Sequence, residues 1–269
     1  MRNKQNYKVN APTLNSYSQL NKDEIITGYL DDDNSLDTIY YSKDKDIISG
    51  KISTSKVKLK FNYTFDEALE TDINVTEKGC IMFITSGNGM SRNEVIEFYN
   101  FDKNLKNWIH TKSINISNNI NYGVEIPNIE FSYYENDFET IDEKLIKYKV
   151  KKPKKNEINN LINQCKNNKI NTYKIIEYLF NFEVNSNSIV NFNDLAFYTQ
   201  NNSISLFILN KILIKYPTRV VAILNLADSY FNLGNSEKAI ENYKKYIKLM
   251  KEQKKDLKKI PKYVFERIK

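Results

Sequence analysis

The chain has 269 residues, of which 41% are hydrophobic and 13% aromatic, with only 7 glycines and 5 prolines. This composition is typical of a globular protein and excludes a disordered or low-complexity chain. The formal net charge is +7, and two cysteines, Cys80 and Cys165, are too few for a disulfide framework or a zinc site.

The N-terminal segment, residues 1–22, is polar and has no apolar core. No apolar run of about 18 residues, the length that suggests a membrane span, occurs anywhere in the chain. We therefore expect neither a signal peptide nor a membrane span, and a cytoplasmic location. The alternative is a periplasmic or secreted protein whose signal peptide has been removed.

Residues 23–150 have the pattern of an antiparallel, β-rich domain. Short segments rich in β-branched and aromatic residues alternate with turn residues. Asp102-Lys103-Asn104 predicts a hairpin turn between the fifth and sixth of these segments. We predict strands at residues 24–29, 37–41, 57–63, 81–85, 94–101, 107–114 and 124–133.

An acidic loop, residues 28–37, follows the first predicted strand. Acids at alternating positions of such a loop point their oxygens at one hard cation, and the loop resembles the calcium loops of integrin-like propeller repeats. Tyr29 stands where the first acid should be, Asn34 replaces the usual glycine, and only one copy is present. We therefore expect a turn without a metal, and no cofactor in the chain. The candidate ligands are Asp31, Asp33 and Asp37.

The chain changes character near residue 150. The basic run Lys151–Lys155 predicts a linker, and periodic apolar positions after it predict a helical domain over residues 151–269. A final short helix is expected after Pro261, because proline suits a first helical turn. The other predicted helices are 157–166, 172–180, 192–200, 203–216, 219–233 and 236–251.

The last two long helices carry a recognisable pattern of large and small residues. In residues 219–250, Leu226-Ala227, Tyr230, Gly234, Ala239 and Tyr243 recur at the spacing of the tetratricopeptide repeat (TPR), which this segment resembles. Residues 193–217 look like a degenerate copy, at an offset of 31 residues where the family expects about 34. The resemblance implies a stack of antiparallel helix pairs in which Ala239 packs opposite Ala227. Together with the β-rich first half, it predicts an α+β protein.

The TPR resemblance also implies a binding function and a binding face. The repeat is a scaffold for protein recognition, and its first helix lines a concave surface. A generic helical hairpin without a groove is the alternative. Carried over by position, the residues expected to contact a partner protein are Val221, Leu224, Asn225, Asp228, Phe231 and Asn232.

Charge is divided unevenly between the two halves of the chain. Residues 1–150 carry 18 basic and 23 acidic side chains, and residues 151–269 carry 22 and 10. Eleven basic residues fall between Lys244 and Lys269, among three acids. We expect first a solvated surface there, second a site for an acidic protein, and third a nucleic-acid site, because no base-reading motif accompanies the charge.

Catalysis has little support in the sequence. His110 is the only histidine and lies in a predicted strand, where a lone histidine is more often structural than catalytic. We therefore expect a non-catalytic protein that binds another protein. The sharper hypothesis is an immunity protein that neutralises a partner toxin. One alternative is an adaptor for bacterial envelope or secretion machinery, and another is an enzyme whose site lies in the β-rich domain.

Overall fold

A computed structural model gives the fold of the chain. It describes residues 150–269 without a gap. Of the preceding residues it describes 23–30, 34–42, 47–51, 58–62, 69–77, 79–87, 91–102, 104, 107–119, 126–134, 137–139 and 145–147. The predicted N-terminal segment, residues 1–22, lies outside the described residues.

The first half of the chain is built from antiparallel strands. Four strands form one sheet in the order β1 (Asp23–Gly28), β2 (Asp37–Ser42), β3 (Ile47–Lys51) and β4 (Lys58–Asn62). Five form a second sheet, also in chain order: β5 (Leu69–Glu77), β6 (Cys80–Gly87), β7 (Ser91–Asp102), β8 (Asn107–Asn119) and β9 (Asn128–Tyr133). A short hairpin, β10 (Asp137–Glu139) and β11 (Leu145–Lys147), completes the described strands.

The strand predictions agree with seven of these strands, and the predicted hairpin turn is confirmed. The Asn104 amide donates to the Asp102 carboxylate at 2.8 Å between the ends of β7 and β8. The sequence pattern missed β3, β5 and the short hairpin. β5 reads LETDINVTE and has too few apolar residues to show a clear alternation.

Seven helices follow in the second half, which confirms the predicted α+β class. Asn171, Asn201 and Asn235 each cap an even-numbered helix by accepting a hydrogen bond from a main-chain amide three residues on. The helices are α1 (Glu157–Lys166), α2 (Thr172–Asn181), α3 (Ile189–Tyr198), α4 (Asn202–Lys215), α5 (Val220–Asn232), α6 (Ser236–Glu252) and α7 (Lys262–Arg267).

The odd-numbered helices α1, α3 and α5 repeat one packing pattern. Each helix contacts the next odd-numbered helix as well as its even-numbered partner. Buried side chains recur at three positions of each helix, one turn or two turns apart, which gives every helix the same apolar side. The three sets, offset by 31 residues, are Ile158/Ile189/Val220, Leu161/Phe192/Ile223 and Cys165/Ala196/Ala227.

The turns inside the helix pairs repeat as well. Asn168, Gln200 and Gly234 each follow an odd-numbered helix and have positive φ angles of 57°, 54° and 81°. A left-handed residue ends a helix by reversing the chain. The Gln200 side-chain amide also donates to the Asn168 side-chain oxygen at 2.6 Å, which ties the first turn to the second. Residues 157–252 therefore form three consecutive helix pairs.

The five-stranded sheet packs against α2. Ile96, Ile114 and Phe131 lie on adjacent strands in register and share a buried cluster with the helices. At its edge the Lys112 ammonium donates to the Glu177 carboxylate at 2.9 Å, and both side chains are largely buried. The Tyr133 hydroxyl donates to the other Glu177 oxygen at 3.0 Å. Sheet and helices therefore share one continuous core.

Candidate partner-binding face

The odd-numbered helices share an exposed side as well as a buried one. At the position after the first buried residue stand Val190 in α3 and Val221 in α5, which are 55% and 52% exposed. Phe197, two helical turns beyond Val190, is 46% exposed. Side chains spaced seven residues apart lie on the same side of a helix. We call this surface, defined by Val190, Phe197, Val221 and Phe231, the odd-helix face.

The six residues predicted from the TPR resemblance do not share one environment. Val221, Phe231 and Asn232 are exposed, and Leu224 is half-buried. Asn232 donates to the Asn202 side-chain oxygen across a 3.4 Å gap. Asn225 is only 8% exposed, because it lies on the side of α5 that packs inside the helical array, and we remove it from the contact set.

Asp228 is held by contacts within the chain. One carboxylate oxygen accepts from the Tyr243 hydroxyl at 2.8 Å and from the Arg267 guanidinium at 2.9 Å. The other accepts from the Tyr263 hydroxyl at 2.9 Å. Its side chain is 14% exposed. Asp228 therefore connects α5 with α6 and α7, and only a small part of its side chain is accessible to solvent.

These contacts change the acidity of both tyrosines. Burial raises the pKa of Tyr263 and of Tyr243 well above the usual tyrosine range, and the neighbouring Asp228 carboxylate raises both further. Both hydroxyls are consequently protonated donors at neutral pH. Both oxygens of Asp228 are therefore occupied by donors of the same chain, and the network that Asp228 forms with Tyr243, Tyr263 and Arg267 has a structural role.

α7 covers one end of the odd-helix face. The Arg267 guanidinium lies 3.8 Å from the centre of the Phe231 ring, and Val264 on the same helix is fully buried. The accessible part of the face consequently lies away from α7, around Val221 and the preceding odd-numbered helix. Val190 and Phe197 are therefore candidate contact residues that the sequence reasoning missed. The 31-residue offset from Val221 to Val190 is the signal that identifies them.

The acidic loop after β1 is closed by one of its own carboxylates. Asp37 is buried and accepts a hydrogen bond from the Leu30 amide at 2.9 Å. The other two candidate ligands, Asp31 and Asp33, lie outside the described residues. Within the part of the chain that the structure describes, no group of three or more His, Cys, Asp or Glu residues is placed to hold a metal ion.

His110 is packed between aromatic rings. Its imidazole stacks on Tyr99 at a centroid distance of 4.8 Å and lies 4.1 Å from Tyr134 on the other side. Burial lowers the pKa of His110, and the Glu97 carboxylate, 3.7 Å from Nε2, opposes that effect. This geometry gives His110 a packing role, as one ring of a stacked aromatic cluster on the sheet.

The basic residues near the C-terminus stand at the surface. Lys244, Lys248 and Lys251 follow one side of α6 and line an open depression of about 400 Å³ together with Ile247 and Glu252. Their helix turns its apolar side, including Tyr243 and Tyr246, into the core. We call residues 244–262 the basic segment.

The sequence matches no model of a known protein family, no curated protein and no solved structure. Among the described residues, no helix combines the length and the apolar character needed to cross a membrane.

Proposed function

We propose that this protein is a non-catalytic binding protein that holds a partner protein on its odd-helix face. The observation that carries the proposal is the pair Val190 and Val221. Both valines are more than half exposed at equivalent positions of neighbouring helices, whereas the flanking residues Ile189 and Val220 are buried. Exposed apolar side chains that recur on one surface are typical of an interaction site.

The chemistry of the face favours an apolar segment of a partner. Val190 and Val221 offer aliphatic contact, and Phe197 offers a larger ring surface beside them. Covering them removes apolar area from water, which stabilises a complex. The TPR resemblance supports the same function, because TPR proteins bind peptides and loops along the helices equivalent to α3 and α5.

The partner that we favour is a toxin, and the protein would then act as an immunity protein. Neutralisation requires only tight stoichiometric binding, which a rigid helical array supplies without a reactive group. The second candidate is a component of bacterial envelope or secretion machinery, for which the protein would be an adaptor. Both use the same face and differ in the identity of the partner.

The test is partner capture from the native host with a matched pair of variants. Val190→Asp with Val221→Asp places two carboxylates on the odd-helix face. Ile214→Asp is the control, because Ile214 is 72% exposed and lies on α4, outside that face. We expect one partner protein to form a 1:1 complex with the wild type and with the control when the complex is reconstituted. The double variant should not bind that partner. A partner retained by the double variant would reject this site.

A toxin partner can be distinguished from an adaptor's partner by its activity. Co-expression with the captured protein should restore growth if the function is immunity, and the double variant should fail to restore it. A captured component of envelope or secretion machinery that is harmless to the cell supports the adaptor function.

A further inference from the structure

The basic segment is a second surface with its own chemistry. Its nine lysines are exposed, and two acids, Glu252 and Asp256, lie among them. Only one ion pair, Lys248 to Glu252 at 3.7 Å, joins these lysines to a carboxylate of the described residues. The lysines are Lys244, Lys245, Lys248, Lys251, Lys254, Lys255, Lys258, Lys259 and Lys262.

Three of these lysines line the open depression along α6. Lys244, Lys248 and Lys251 are spaced four and three residues apart, so they follow one another on the same side of α6. They line the depression whose apolar contribution comes from Ile247. Like charges that are held this close repel one another, and a negatively charged occupant relieves that repulsion.

Apolar contact accompanies the charge. Ile247 lies inside the depression, and Leu257, farther along the segment, is 45% exposed between Asp256 and Lys258. Nucleic-acid bases stack on exposed aromatic side chains and on arginine. Residues 244–262 contain no arginine, and their one aromatic residue, Tyr246, is buried at 4% exposure. Lysine charge mixed with aliphatic surface fits an acidic protein segment with interspersed aliphatic residues.

We infer that the basic segment is a docking surface for an acidic, partly aliphatic segment of a protein. The carboxylates pair with Lys244, Lys248 and Lys251. One aliphatic side chain of the partner lies over Ile247, and another contacts Leu257 farther along the segment. Lys244, Lys248 and Lys251 lie on the exposed side of α6, and none of them belongs to the odd-helix face. The inference therefore does not depend on the proposed function, and each fails separately.

The test uses the full chain and three probes at about 50 mM and about 300 mM salt, between which screening of exposed charges increases strongly. The first probe is a helical peptide of glutamates with a leucine at every fourth position. The second is a glutamate peptide of equal charge without leucine, and the third is random-sequence duplex DNA. We expect the leucine-containing peptide to bind most tightly of the three probes. Its affinity should fall several-fold at the higher salt concentration.

Two variants with equal changes in charge give the control. Lys244→Glu with Lys248→Glu and Lys251→Glu should weaken the leucine-containing peptide at least tenfold. The control variant carries the same charge changes at three exposed lysines outside α6: Lys151→Glu, Lys154→Glu and Lys169→Glu. Its affinity for the leucine-containing peptide should stay within about twofold of the wild-type value. Circular dichroism and melting curves verify that both variants fold.

Leu257→Ser separates apolar contact from charge. The variant should bind the leucine-containing peptide more weakly than the wild type does, and its affinity for the glutamate peptide should be unchanged. Tighter binding of duplex DNA than of either peptide would overturn the inference in favour of a nucleic-acid surface. Equal loss of peptide binding in the two lysine variants would overturn it as well, because binding would then follow net charge alone.

Discussion

The Arg267 guanidinium stacks on the Phe231 ring at 3.8 Å while one of its nitrogens donates to Asp228 at 2.9 Å. One side chain of α7 therefore holds both an aromatic and a carboxylate of α5. The same guanidinium also lies 4.5 Å from the centre of the Tyr263 ring. Cation–π contact and a charge-assisted hydrogen bond reinforce each other at such a place. α7 is thus fixed to the last helix pair as its final packed element.

Asp228→Asn should destabilise the protein. The change removes the negative charge that three donors face, and it leaves the largely buried Arg267 guanidinium without an anion. We expect the free energy of unfolding to fall by about 2 kcal/mol, measured by urea denaturation. Glu241→Gln on the exposed side of α6 is the control and should change it by less than about 0.5 kcal/mol. Equal midpoints for the two variants would show that the network adds no stability.

Tyr263 should make the folded state sensitive to alkali. Its pKa is raised in the folded chain, so the folded protein keeps a proton that the unfolded chain releases above about pH 10. Its contribution to stability is therefore constant below that pH and is lost as the pH rises, by about 1.4 kcal/mol per pH unit. Urea denaturation between pH 8 and pH 11 measures this slope. In Tyr263→Phe the slope should be shallower by that amount, and an unchanged slope would mean that Tyr263 titrates normally in the folded chain.

The sequence predicted the helices more completely than the strands. Helices α1, α2 and α4 to α6 begin and end within about two residues of the predicted bounds, because periodicity and caps are local signals. β5 was missed because its pairing with β6, and not its own composition, makes it a strand. The sequence also assigned Asp228 to a partner, since nothing near it indicates Tyr263 and Arg267, which lie 35 and 39 residues farther along the chain.

Ala239→Leu should overpack the last helix pair. Ala239 in α6 and Ala227 in α5 are both completely buried. Because protein interiors are closely packed, three further carbon atoms at position 239 would displace neighbouring side chains. We expect the free energy of unfolding to fall by about 1–3 kcal/mol. Lys245→Leu introduces the same side chain at an exposed position of α6 and should be nearly neutral. A melting temperature of Ala239→Leu equal to that of the wild type would contradict the packing described for these two helices.

The ion pair between Lys112 and Glu177 should show coupling across the boundary between sheet and helices. Glu177→Leu leaves a largely buried ammonium unpaired, and we expect a loss of about 3 kcal/mol in the free energy of unfolding. Replacing both residues, Lys112→Met with Glu177→Leu, should recover most of that loss, because no charge then stays buried. A double-mutant cycle measures the coupling, and strictly additive losses would show that the two side chains do not interact.

Site-specific photo-crosslinking tests the central claim, partner binding on the odd-helix face, most directly. A photoreactive residue is placed at Val190, at Val221 or, as the control, at Ile214, and each variant is irradiated in cells of the native host. We predict that one and the same partner protein is crosslinked from Val190 and from Val221 and not from Ile214. Crosslinking of that partner from Ile214 alone, or equally from all three positions, would contradict binding on this face.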